Sequence, residues 1–252
     1  MNDARSRSPA APAGDDGSGD GSTAPDMTDR GAPDGRGGAR VGGGAFSMRK
    51  PIRHAEALGH GRNIAVAILN YEAATGAFPQ QAKLSSSGQP LLSWRVLILP
   101  YMEEQALYGQ FNMNEPWDSP QNLPLVQRMP TNFDLGDADE PGYTAALALM
   151  GPDTLFPGGE KKIRVGEVRD GTSRTIAFVI ASPDRAVPWT KPEDINFDPA
   201  NPTNGLGDAD GQMYFAFADG GVMRVSESVD PTAVNAAATR SGGETVDMSV
   251  FR

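Results

Sequence analysis

The sequence predicts an α+β fold, with helices in the first half of the folded region and strands in the second. Apolar residues recur at helical spacing from about His54 to Tyr71, and short apolar runs take over beyond residue 142. Asp219-Gly220 joins two of those runs in the manner of a hairpin turn. Helices first and strands afterwards argue against alternating βαβ units.

Each element follows in order. Ala57, Gly61, Ile64, Ile68 and Tyr71 fall on one helical stripe, whereas Arg62, Asn63, Asn70 and Glu72 fall largely elsewhere. Gly76 is the expected stop, and Pro79 prevents continuation. A second helix is expected from Ser93 as N-cap, burying Trp94, Leu97, Ile98 and Tyr101, with Pro100 kinking or splitting it. Asp118 or Ser119 with Pro120 opens a short third helix through Arg128, followed by a polar loop over 131–142. Strand-like runs then occupy Tyr143 to Met150, Thr175 to Ala181, Met213 to Ala218 and Val222 to Val225, and a final helix spans Pro231 to Arg240.

Residues 1–48 hold eleven Gly, and their only large apolar residues are Met1, Met27, Val41, Phe46 and Met48. Ordering backbone costs about 1 to 2 kcal/mol per residue, which so few buriable side chains cannot offset. The expected organisation is a disordered Gly/Asp/Pro-rich tail or linker over 1–48 and one folded domain over 49–252. The net charge of −10, only −2 of it in the tail, argues against nucleic acid and anionic lipid as partners. The absence of Cys excludes disulfides, thiolate metal sites and a Cys nucleophile. No secretory leader is recognisable, and the apolar runs fall far short of the roughly 18 residues that a membrane helix needs. Membrane contact from this chain itself is therefore not expected.

Extended stretches of text occur in a recognisable sequence: NYEAATGAFP, SWRVLILPYMEEQALYGQFN, EPWDSPQN, YTAALALMGPDTLFPGG, VRDGTSRTI, VPWTKPEDINFD, FADGGVMRVSESVDP and TRSGGETVD. Together they resemble a large bacterial set of prepilin-like proteins of unknown function, formerly labelled solute-binding. These proteins carry a signature of His, nine residues and Asp-Gly. The resemblance covers roughly residues 57–247 and implies a pilin-like fold, an N-terminal stem helix packed on a small antiparallel sheet with long irregular insertions. It also implies a cell-envelope setting. Residues 62–79 resemble the exposed half of a pilin-type stem running into its Gly-Pro exit.

The chain departs from that pattern. The prepilin leader and the apolar half-helix are replaced by the Gly-rich stretch, which favours the cytoplasm if Met1 is the true start. The signature His falls at Ala209, the Glu that often follows the family's DGTSNT motif falls at Ile180, and the Asn of that motif is Arg174. The family's Cys residues are missing as well. A polar site built on that His and Glu is expected to be lost here.

Few constellations carry chemistry. His54 and His60 lie six residues apart on opposite faces of the stem and read as exposed residues rather than catalytic bases. GPDTLFPGGEKK lacks the Gly-Lys-Ser/Thr ending of a phosphate cradle and reads as a surface loop. The segment DPANPTNGLGDADGQ is dense in the Asp and Asn oxygens that calcium takes, which makes Asp198, Asn204, Asp208 and Asp210 candidate ligands. An EF-hand register fails, because Gly211 at the sixth position would put Leu206 first and Phe217 twelfth. GDADE at 136–140 is a weaker candidate of the same kind. Trp94, Trp117 and Trp189 read as core anchors, with Trp189 also a candidate ligand-stacking residue beside the Asp/Asn loop. Arg95 is expected to bind carbonyls or a carboxylate such as Glu115 or Asp118.

The expected function is a non-enzymatic structural or interaction module, with protein partners or self-association and no cofactor. The alternative is a module that binds a solute, a glycan or calcium through the 198–211 loop.

Overall fold

The computed structural model describes residues 45–135, 140–208, 210–244 and 246–251. Helix α1 (Ala45–Thr75) opens inside the stretch read as a tail; the rest of that stretch, and the disorder expected of it, lies outside the described residues. Gly76 closes the helix with φ 78° and donates its N–H to the Glu72 carbonyl at 2.7 Å, the left-handed stop that glycine adopts without a Cβ clash. The predicted stripe is the buried one. Gly61, Ile64, Ala65 and Ile68 are buried, while Arg62, Asn63, Val66 and Asn70 face solvent.

A short hairpin follows, β1 (Ala82–Leu84) and β2 (Pro90–Ser93), leading into α2 (Trp94–Leu97). Ser93 caps α2 as expected, accepting from the Arg95 N–H at 3.2 Å. Pro100 splits the expected helix: a 3-10 turn spans Leu99–Tyr101, and α3 (Gln105–Tyr108) follows separately. The third predicted helix is a 3-10 turn at Leu123–Arg128, since Pro124 falls inside the expected helix and lacks the N–H that an α-helical ladder needs there. The irregular stretch before it is held by Asn122. This wholly buried side chain accepts from Asn112 N–H and lies within 3.1 Å of the carbonyls of Asn112, Glu115 and Pro116.

Strands β3 (Tyr143–Thr144), β4 (Ala146–Met150), β5 (Ile176–Ile180), β6 (Val187–Pro188), β7 (Ile195–Asn196), β8 (Gln212–Phe217) and β9 (Val222–Ser226) come next, then α4 (Pro231–Ala238). The main sheet runs β7-β4-β5-β8-β9, and β3 pairs with β6 separately. Its four larger strands are antiparallel as expected, but β7 joins β4 in parallel, so the sheet is mixed. The hairpin turn falls on Asp219-Gly220, with Gly220 at φ 91°.

The strands read as continuous apolar runs because both faces of the sheet are covered. Ala146, Ala148, Phe178, Ile180, Tyr214 and Ala216 pack toward α1 in one core. Leu147, Leu149, Val179, Met213, Phe215 and Phe217 pack toward Val234 and Ala237 of α4 and toward Phe251 in a second. The result is a sheet between two layers rather than a sheet with one wet face.

Arg95 joins these parts. It is wholly buried, and its counter-ion is Asp194 at 2.8 Å, not the Glu115 or Asp118 named from sequence proximity. Its remaining N–H groups donate to the carbonyls of Trp189, Ala146, Lys191 and Glu193. The Asp194 carboxylate also accepts from Trp94 Nε1, Gln81 Nε2 and the backbone N–H of Ala148. Its acceptance from Ala148 stands where a sheet partner would be, immediately before β7 begins to pair with Leu149.

Gly61 lies where the stem packs on the sheet. A Cβ there would lie 3.5 Å from Val222 Cγ1 and 3.8 Å from Ile180 Cδ1, ordinary contact distances with no room beyond them. Gly61→Ala is expected to stabilise the fold by about 0.5–1 kcal/mol through helix propensity. Gly61→Leu is expected to cost about 1–3 kcal/mol by overpacking. Urea denaturation measures both, and a neutral Leu variant would contradict this docking of the stem.

Candidate functional site

The site is built where the chain leaves β7 and runs to β8. Phe197 N–H continues the parallel pairing by donating to the Met150 carbonyl at 2.8 Å, which carries the Asp/Asn segment along the sheet edge. Leu206, 1% exposed, anchors the far end of the segment in the second core. A 3-10 turn at Pro183–Arg185 approaches from the other side, with Ser182 N–H donating to the Gly205 carbonyl at 3.3 Å. Between them lies a cavity of about 130 Å³. Leu149, Ile195 and Leu206 supply its apolar lining, and Arg185, Asn196, Asp198, Asn201 and Asn204 its polar lining.

The segment holds its shape through its own turns. The Asp198 carboxylate accepts from Ala200 N–H at 2.9 Å and Asn201 Nδ2 at 2.8 Å. Those two bonds, the Asn201 one foremost, hold its carboxyl below the ordinary carboxylate range. The Asp208 carboxylate accepts from the N–H groups of Asp210 and Gln212, both at 2.9 Å. Gly207 then bridges to Met213, so this second turn is the start of β8 rather than part of the cavity wall.

The four candidate calcium ligands are therefore divided. Asp198 and Asn204 line the cavity; Asp208 and Asp210 belong to the turn beside β8. Among the described residues no three His, Asp or Glu side chains are grouped as a metal site. Ala209, counted from the resemblance as the place of a signature His, and most of the 136–140 candidate lie outside the described residues. Trp189 as a ligand-stacking residue is corrected. It is wholly buried, donates Nε1–H to the Val126 carbonyl at 3.0 Å and packs against Phe111 and Phe133. Its indole is an internal anchor far too enclosed to meet a solute.

Two features escaped the sequence reading. Arg185 carries the cation of the cavity, yet SPDR reads as an ordinary turn with nothing to single it out. His54, taken as exposed, is half-buried and shares a hydrogen bond with the Tyr214 hydroxyl of β8, its ring centroid 6.0 Å away. No local signal joins residues separated by 160 positions. His60 is half-buried too, and Ile180 is a core residue beneath the stem.

A family model described only as "Protein of unknown function (DUF1559)" matches residues 46–150, from α1 through β4. Neither the curated proteins nor the solved structures gave a match to the chain. The cavity-lining side chains other than Leu149 lie outside the matched segment. Among the described residues no helix is long and apolar enough to cross a membrane.

Tyr214 gives the stem–sheet junction a measurable signature. Burial first, and then the neighbouring Asp208 charge, push its hydroxyl up to about 12. A group whose pKa is raised on folding stabilises the native state below its unfolded value of about 10 and loses that contribution as pH climbs toward the folded value. Between about pH 10 and 12 the parent is expected to lose stability more steeply than Tyr214→Phe. Denaturation midpoints across that range read the difference, and parallel slopes would contradict the burial of this hydroxyl at the junction.

Proposed function

We propose that the chain is a non-enzymatic structural or interaction module of pilin-like type, working in a cell-envelope setting. The observation that carries this reading is the docking of one face of α1, from Ala57 to Tyr71, on a largely antiparallel sheet. The family match over α1 to β4 and the motif resemblance along the body support the same reading. The fully buried Arg95 and Asp194 hold segments together rather than face a cleft, which suits a framework.

A second reading, a solute-binding module, draws support from the cavity beneath the Asp/Asn segment, where a cation and several side-chain amides converge over an apolar floor. The fold would then be a framework that presents this pocket.

The absence of Cys makes the interaction reading directly testable. Single cysteines at Val66, Leu123 and Val165, which are 48%, 48% and 51% exposed, report on three separate surfaces. In cells, at least one is expected to give a cross-linked adduct of defined mass with a second copy or an envelope protein. Full maleimide reactivity at all three with no adduct would contradict an interaction role.

A further inference from the structure

The cavity lining contains two opposite charges that do not neutralise one another. Arg185 and Asp198 both line it, yet they form no ion pair with each other, and the Arg185 guanidinium makes no hydrogen bond or ion pair among the described residues, although its backbone N–H donates to the Ser182 carbonyl. Gly205 leaves room for this guanidinium. A Cβ there would stand 2.3 Å from Arg185 Nε and 2.7 Å from Cζ, and the φ of 74° is one that side-chain-bearing residues rarely adopt. Asp198 is oriented by Ala200 and Asn201, which leaves part of its acceptor capacity for a further donor. The side-chain amides of Asn196 and Asn204 also line the cavity and carry no hydrogen bond among the described residues.

We propose that this cavity binds a small zwitterion of amino-acid size, with the Arg185 guanidinium taking its carboxylate and the Asp198 carboxylate its ammonium group. The proposal rests on the solute-binding reading and gives it a ligand class. A planar guanidinium pairs a carboxylate through two parallel N–H donors. An ammonium offers three donors, which one carboxylate and neighbouring amide oxygens accept. A lining of balanced charge disfavours a dianion, whose second carboxylate would meet Asp198, and equally a dication, whose second charge would meet Arg185. The volume of about 130 Å³ is close to that of cavities of about 150 Å³ that hold one benzene ring. Asn196 and Asn204 are then placed to meet a short polar side chain, and Leu149, Ile195 and Leu206 a methyl group.

Calorimetric titration of the full chain tests this with L-alanine and L-serine as zwitterions, and with propionate, ethylamine, glucose and calcium chloride as controls. The amino acids are expected to bind, with propionate and ethylamine at least tenfold weaker. Arg185→Gln and Asp198→Asn are each expected to weaken amino-acid binding at least tenfold at an unchanged melting temperature. Arg185→Lys, which keeps charge but not the fork, is expected to fall between. Propionate binding as tightly as alanine, with Asp198→Asn without effect, overturns the zwitterion and leaves solute binding standing. Binding of glucose or calcium while the amino acids give no heat does the same. No heat from any compound at millimolar concentration overturns both.

Discussion

Arg95 and Asp194 are charged groups with no exposure to water, and the course of the chain around them reflects that constraint. Burial pushes the Asp194 carboxyl up and the Arg95 guanidinium down from their ordinary ranges, and in each case the partner's charge opposes the shift. A pair withdrawn from solvent persists only where nearly every donor and acceptor is matched. Here the matching groups come from distant places. β4 supplies a carbonyl and an N–H, the 189–193 segment supplies three carbonyls, and Trp94 and Gln81 supply side-chain donors. Satisfying the pair therefore fixes α2 against the sheet edge, and it delivers the chain to β7 parallel to β4. The cavity lies directly beyond that strand, so the pocket's position follows from the pair's.

The sheet itself depends on a different economy of space. Alanines at 146, 148 and 216 on the stem side leave room for Trp94 and Phe178, whose tilted rings pack with centroids 5.8 Å apart, while larger residues at 147, 149 and 215 fill the side under α4. Gly61 lets the stem approach Val222 and Ile180. Ile180 seals this contact. Tyr214 pairs in register with Ile180 and shares a hydrogen bond with His54 of the stem. The stem–sheet contact thus holds a polar contact beside its apolar ones.

Much of the fold was legible because local chemistry decides it. The helical stripe, the Gly76 stop, the Ser93 cap and the Asp219-Gly220 hairpin all depend on residues within a few positions of one another. What was not legible depends on distance. Arg95 could be assigned a carboxylate in kind, but Glu115 and Asp118 were merely the near ones, and Asp194 lies 99 residues away. The parallel addition of β7 follows from that long-range pair and leaves no mark on a two-residue strand. Composition drew attention to the Asp/Asn segment. It could not show that Asp208 is turned toward its own backbone and β8, nor that Arg185, Asp198 and Asn204 line one cavity.

The most direct measurement is a double-mutant cycle in urea on Asp194→Asn, Arg95→Met and the pair together. If the buried pair holds the layers in place, each single variant loses about 3–5 kcal/mol, because each leaves an uncompensated buried group, and the double variant loses less than the sum. Single variants within about 1 kcal/mol of the parent, or losses that simply add, would show that these groups are not mutually dependent and that the layers are held by apolar packing alone.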